Sequence, residues 1–408
     1  MSQKYPGGLI TKSPPATVGP ILGGGGSAPG VWTLDQAMAL NKQGLWPKPP
    51  VTVKQLWSWG QNDNGQLGLG NSGGGTYRSS PVQVGALTNW SVLAAGFKNA
   101  LAVKSDGTLW SWGRNLSGSL GLGNLTDYSS PKQVGALTNW SKIAAGVQNG
   151  YAIKTNGTLW TWGQGLYGAL GNNSTTTRYS PAQVGALTNW LEVAAGGYSG
   201  YAVKTDGTLW SWGYNINGQL GLGNVTYYSS PKQIGALTTW TKVAAGRLFA
   251  LAIRTNGTLW AWGNNAEGQL GLTSATSYFT SPNQVGALTD WANVTCGRTH
   301  TLAVKTDGTL WAWGSNTSGQ LGLGNTTRYS SPKQVGTLTS WYLISAGSNF
   351  SFSVKTDGTL WSWGGQGQGQ TALGLSSGTT QSPVQVGSLT TWLTIACGSY
   401  WAMALKTT

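Results

Sequence analysis

Hydrophobic and polar positions in this chain alternate in short runs, and one run keeps returning. The octet Asp106-Gly107-Thr108-Leu109-Trp110-Ser111-Trp112-Gly113 contains L-W-x-W-G, which occurs seven times, its first Trp at Trp57, Trp110, Trp160, Trp210, Trp260, Trp311 and Trp361. A period of two places both Trp on one face of a strand and the Leu and small residue on the other. Six copies follow Asp-Gly or Asn-Gly, which predicts entry from a tight type I′ hairpin with positive φ at both central residues. Recurrence at about fifty residues means an array or ring of one supersecondary unit. Each full unit predicts four short strands, around Ile143–Gly146, Tyr151–Lys154, Leu159–Gly163 and segments of the Gln133–Gly135 type.

The units run out of phase with the chain. The first has only its second half, from Leu56, and the last stretch, Trp392 to Lys406, is only a first half. The halves add to one unit, as in a ring closed by strands from both ends with no open sheet edge. An open solenoid would instead want atypical capping units. The expectation is therefore all-β: a seven-bladed β-propeller over 51–408, preceded by an extended Gly/Pro-rich arm over 1–50. In the arm, Thr33 followed by Gln36 has capping-box form and predicts one short helix that Gly44 ends. Trp32, Leu34, Met38, Leu40 and Trp46 are its candidate docking residues; the alternative is a helix packed on the main domain.

D-G-T-L-W-S-W-G, then G-Q-L-G-L-G (Gly65–Gly70, Gly218–Gly223, Gly319–Gly324), then S-P-x-Q-V closely resemble the regulator of chromosome condensation repeat. The resemblance covers 51–408 and implies the seven-bladed propeller, but no single function. Members of that family include exchange factors for small GTPases, chromatin binders and interaction scaffolds. Two departures stand out. The His common after the A-G step is missing from six repeats, His300 being the single His, and no long insertion supplies the wedge of the exchange factors. A second stretch, Gly30–Pro47, resembles a short segment of bacteriophage virion proteins.

Composition narrows the chemistry. Charged residues make up 8% of the chain, with a net charge of +14, and no run approaches the ~20 apolar residues of a membrane span. The N-terminus lacks the layout of a secretory signal. Of ten acidic residues, Asp106, Asp206, Asp307 and Asp357 occupy hairpin turns and the rest are scattered. The absence of a carboxylate pair, His cluster or Cys-x-x-Cys predicts no enzyme, cofactor or metal site. G-Q-L-G-L-G lacks a following Lys-Ser/Thr and is read as structural punctuation, not a phosphate cradle. Cys296 and Cys397 replace the middle Ala of A-A-G and are read as small buried hydrophobes.

Three recurring sets remain as candidates. Lys104, Lys154, Lys204, Arg254, Lys305, Lys355 and Lys406 form a ring of cations, either solubilising strand ends or attracting an anionic surface. The tetrads after A-G diverge, contributing Phe97, Lys98, Tyr198, Arg247, Phe249, Arg298, His300, Phe350, Tyr400 and Trp401 as binding or inter-blade packing residues. Before each S-P lie Tyr77, Arg78, Tyr128, Arg178, Tyr179, Tyr227, Tyr228, Tyr278, Arg328 and Tyr329, expected in loops on one binding face. The leading expectation is a non-enzymatic phage virion structural protein (tail fibre, adhesin or capsid decoration). Its arm would join other virion proteins and its propeller a host-surface glycan, with nucleic-acid binding and membrane insertion not expected. The alternative is an intracellular interaction scaffold or small-GTPase regulator.

Overall fold

The computed structural model describes residues 53–408, together with the short strands Lys4–Tyr5 and Gly8–Leu9, which pair antiparallel. The chain falls into two units, Met1–Val53 and Lys54–Thr408. The helix expected around Trp32, Leu34, Met38, Leu40 and Trp46, and the phage-like segment Gly30–Pro47, lie outside the described residues.

The second unit is a seven-bladed propeller, each blade a four-stranded antiparallel sheet. From the axis outward, blade 1 is Trp90–Ala95, Asn99–Lys104, Leu109–Gly113 and Tyr128–Gln133. Blades 2 to 6 repeat this order, starting at Trp140, Trp190, Trp240, Trp291 and Trp341. Blade 7 joins Trp392–Cys397 and Trp401–Thr407 to Lys54–Gly60 and Arg78–Thr88. The two chain ends pair without interruption from Lys54↔Thr407 to Gly60↔Trp401, so the complementary halves close the ring. The outer strand begins earlier than expected, at Tyr128 and not near Gln133. It thus contains the S-P pair, which an edge strand tolerates because its open side needs no N–H.

The entry hairpin also differs from expectation. Gly107 N–H bonds the Lys104 carbonyl at 2.9 Å and Lys104 N–H bonds the Thr108 carbonyl at 3.0 Å, but only Gly107 takes a positive φ, 78°. The loop is a type I turn followed by a glycine bulge, not a type I′ turn. With Asp106 outside the left-handed region, its Oδ1 accepts the Thr108 N–H at 3.0 Å and hydroxyl at 2.6 Å. The Thr108 hydroxyl oxygen then accepts the Trp110 indole N–H at 2.9 Å. A Cβ at Gly107 would lie 2.0 Å from the Thr138 carbonyl oxygen in the next linker.

The core lies between blades. One cluster combines Leu101, Val103, Leu109 and Val134 of blade 1 with Trp140, Ile143, Ala152 and Trp162 of blade 2. Trp140 meets Trp160 and Trp162 edge-on, with centroids 5.8 and 6.4 Å away. The second Trp of each W-x-W is fully buried and reaches backward: Trp162 donates to the Ser119 carbonyl of blade 1 at 2.9 Å. Trp59 makes the same bond across the closure, to Gln370 of blade 6 at 3.1 Å. Gly121 makes room for this latch, since a Cβ there would lie 3.0 Å from the Trp162 indole nitrogen.

Candidate functional site

Strand direction gives the ring two distinct faces. One carries the Asp-Gly and Asn-Gly turns with the V-G-A-L-T linkers beside them. The other, the loop face, carries the A-G tetrads and the long connections from W-G to S-P, because both join strands at the same end of each blade.

The cation ring sits toward the turn face, and both expectations for it are corrected. Lys154 Nζ lies 3.7 Å over Trp160 and 4.9 Å from Trp140; Lys204 and Lys355 repeat this over Trp210 and Trp361, each at 3.8 Å. Burial against the indoles holds these three ammonium groups below the ordinary lysine range. The cations serve as cation–π pillars between tryptophans, not as a free basic surface. The G-Q-L-G-L-G loops likewise consume their own donors. Gly218 bonds the Asn215 carbonyl, Leu220 the Asn215 side chain at 2.8 Å, Gly221 the Gly218 carbonyl and Gly223 the Thr280 carbonyl. These amides are therefore not left to hold a phosphate.

The A-G tetrads divide by position. Their third residues, Phe249, His300, Phe350 and Trp401 among them, are buried at the start of the second strand, so the binding expectation for those four is corrected to inter-blade packing. His300 Nε2 meets Ser351 Oγ at 3.0 Å across blades, and burial pushes its pKa down to about 3, leaving it neutral. The first residues instead surround the axis. Phe97, Val147, Gly197, Arg247, Arg298, Ser348 and Ser399 each contribute from a different blade to a cavity of about 430 Å³, joined by Arg114, Gln148 and Tyr198. Cys296 and Cys397 are free, half-buried thiols in its wall; burial raises both thiol pKa values.

The Tyr/Arg set does not share one loop. Pairing places Tyr128, Arg178, Tyr228, Phe279 and Tyr329 opposite the W-x-W glycines, as it does Arg78. These residues belong to the outer strand. Tyr128, Tyr228 and Tyr329 are half-buried, each near a lysine (Lys132, Lys232, Lys333) at 5.6 Å. Tyr179 lies one residue further on, against Gly118 of the preceding blade. Tyr77, Tyr227 and Tyr278 lie one residue earlier and are exposed. Arg78 is bound to the carbonyls of Thr76 and Tyr77, Arg328 is paired with Glu267 at 3.4 Å, and Arg178 is exposed.

Only Tyr227 of that set joins a larger aromatic group, two members of which, Tyr167 and Tyr214, the repeat pattern did not single out. Tyr167, Tyr198, Tyr214 and Tyr227, from blades 2 and 3, cluster with Tyr167–Tyr214 at 4.6 Å, Tyr214–Tyr227 at 5.1 Å, Tyr167–Tyr227 at 5.3 Å and Tyr167–Tyr198 at 6.2 Å. Tyr167 has φ 61°, a left-handed conformation uncommon for an aromatic residue. Desolvation first, then the neighbouring phenols, raises the Tyr214 pKa, while Arg247 acts the other way. The available signal was a break in the repeat: Tyr167 and Tyr214 stand where other units have Asn, Ser, Glu, Gln, Gly or Arg. Among the described residues, no group of three or more His, Cys, Asp or Glu is arranged to hold a metal ion.

The family model described as the RCC1-like domain matches residues 55–404. Protein RCC2 of Mus musculus is 40% identical over 80 residues, 19% of this chain and 15% of its own length. The ultraviolet-B receptor UVR8 of Arabidopsis thaliana is 40% identical over 78 residues, 19% of this chain and 18% of that protein. The match thus spans less than a fifth of these relatives. Prp20p of Saccharomyces cerevisiae, studied for its binding to Gsp1p and histones, superposes with a TM-score of 0.78 at 21% identity, covering 88% of this chain and 92% of that one. Human WBSCR16 gives 0.78 at 20% identity over 87% and 100%. These findings correct the expectation of a phage virion structural protein. They overturn the tail-fibre, adhesin and capsid-decoration roles, placement on a virion, and partnership with virion proteins or a host-surface glycan. The matched relatives belong to mouse, human, plant and yeast, and the phage-like stretch lies outside the residues that the family model matches.

Proposed function

Because this chain belongs to the RCC1-like domain family, we propose that it is a protein-interaction scaffold that works by binding, not catalysis, and docks its partner on the loop face. The observation that carries this reading is the convergence of seven residues of five kinds, one from each blade, on the axial cavity, while the tryptophan framework beneath them stays constant. A rigid scaffold presenting divergent loop residues is how interaction surfaces are commonly built. The relative Prp20p lends a second line of support, through its binding to Gsp1p and histones. A small-GTPase exchange role is less favoured, since the described connections between third and outer strands are alike in length and none forms an inserted wedge.

The test is site-specific photo-crosslinking in the native cell. A photoreactive residue at Phe97 on the loop face should capture a discrete protein partner, and one at Leu288 on the turn face should not. Capture at Leu288 alone would overturn the proposed face.

A further inference from the structure

The loop face is not uniform around the ring. At the tip that follows each W-G step, blades 1, 2 and 3 present Leu116, Leu166 and Ile216, exposed by 55%, 46% and 52%. The equivalent residues of the other blades are Asp63, Ala266, Thr317 and Gly367. Leu125 and Val225 extend this apolar sector on blades 1 and 3, and the four-tyrosine cluster lies within it. Exposed apolar tips of this size gathered on one side of a framework mark an interaction patch.

Charge is distributed differently, with arginines reaching the axis from blades 1, 4 and 5. The acids on this face already have partners: Asp63 pairs with Lys98 at 3.5 Å, Asp127 accepts the Asn115 N–H at 2.7 Å, and Glu267 pairs with Arg328. Arg114, Arg247 and Arg298, lining the axial cavity, have no carboxylate within salt-bridge distance among the described residues. Gly197 keeps the approach to Arg247 clear; a Cβ there would lie 2.7 Å from the Arg247 carbonyl oxygen and 3.4 Å from its side chain. Guanidinium forks left without acids are matched to carboxylates.

Resting on the loop-face reading above, we infer that this face binds an acidic protein segment carrying aliphatic or aromatic anchors, with blades 1 to 3 taking the anchors and blades 4 and 5 the carboxylates. The anchors lie against Leu116, Leu166, Ile216 and the tyrosine cluster, and the carboxylates reach Arg247 and Arg298 at the axis. Protein is favoured over nucleic acid because the cations are flanked by aliphatic tips. The tyrosines also turn their ring faces largely to one another, leaving few open platforms for bases.

The experiment selects random peptides from an mRNA-displayed library on the full chain and measures the enriched sequences by fluorescence anisotropy. Enriched peptides should combine Asp or Glu with Leu, Ile or Phe, and their binding should weaken with salt. Arg247→Glu with Arg298→Glu, and separately Leu116→Ser with Ile216→Ser, should each weaken binding by about tenfold or more. Leu237→Ser with Leu288→Ser, on the turn face, should leave it unchanged. Circular dichroism melting confirms that each variant is folded. Enrichment without acidic residues, or undiminished binding by both loop-face variants, overturns the inference. So does tighter, arginine-dependent binding of a single-stranded oligonucleotide, which would mark a nucleic-acid surface. If the Phe97 crosslink forms while acidic peptides fail, the docking face stands and only the partner's chemistry is wrong.

Discussion

At the scale of single residues, the repeat is a set of short hydrogen-bond relays built from cheap parts. Asp106, Asp206, Asp307 and Asp357 each hold a threonine, and that threonine holds a tryptophan. The threonine bonds keep all four carboxyls below the usual carboxylate range. A depressed folded-state pKa adds stability above the unfolded value that is lost as pH falls through the folded one. The propeller should therefore lose stability on acidification below the ordinary Asp pKa of about 3.9. Asn156 and Asn256 make the same two bonds to Thr158 and Thr258 without a titrating proton. Replacing all four aspartates with Asn should leave the neutral-pH melting temperature within about 2 °C, a surface-scale effect, and flatten the acid limb. A steep limb in the quadruple variant would assign acid sensitivity elsewhere. The sequence made the turn and its Asp preference legible. It did not reveal the bulged geometry, because only the pairing of Lys104 with Thr108 distinguishes a three-residue loop from a two-residue one.

At the scale of the element, each blade is tied to its neighbour by the side chains it inserts there. The Trp162 indole bond to Ser119 is buried and inter-blade, so Trp162→Phe should cost about 1–3 kcal/mol by orphaning a buried carbonyl. Trp160→Phe, which loses the bond to Thr158 near the surface and weakens the Lys154 cation–π contact but orphans no buried carbonyl, should cost less in thermal or chemical unfolding. Equal losses would show that ring volume, not the latch, sets the energy. Period-two reasoning found the strands and the Trp faces, because W-x-W-G states its pattern locally. It grouped Tyr179 with Tyr128 and Tyr228 although the connections are equal in length and Tyr179 stands two residues before its proline, not three as the others do. An offset of one residue turns a side chain to the other face, and the register confirms it by pairing Arg178, not Tyr179, with Gly163. Cation–π seating of the lysines was hidden for a related reason: the partners, Trp140 and Trp160 for Lys154, lie on two different strands.

At the scale of the whole molecule, closure was legible in complementary half-units, and the structure completes it through Lys54–Gly60. Deleting 51–62 removes that strand and the Trp59 latch together, leaving blade 7 with two paired strands, an open edge and an outer strand without its partner. The expected result is aggregation or a melting temperature lower by on the order of 10 °C; an unchanged melting curve would contradict closure by both ends. The functional face was only partly legible. Divergence among repeats identified Phe97, Tyr198, Arg247 and Arg298, but a repeat-by-repeat reading could not see that Tyr167, Tyr198, Tyr214 and Tyr227 meet across two blades. The central claim is that this loop face is where a protein partner docks. The most direct measurement purifies the partner captured through Phe97 and compares its binding to two folded variants. Leu116→Asp with Ile216→Asp should abolish the complex, and Leu237→Asp with Leu288→Asp on the opposite face should retain it. Loss of binding in the second variant with retention in the first would contradict the account.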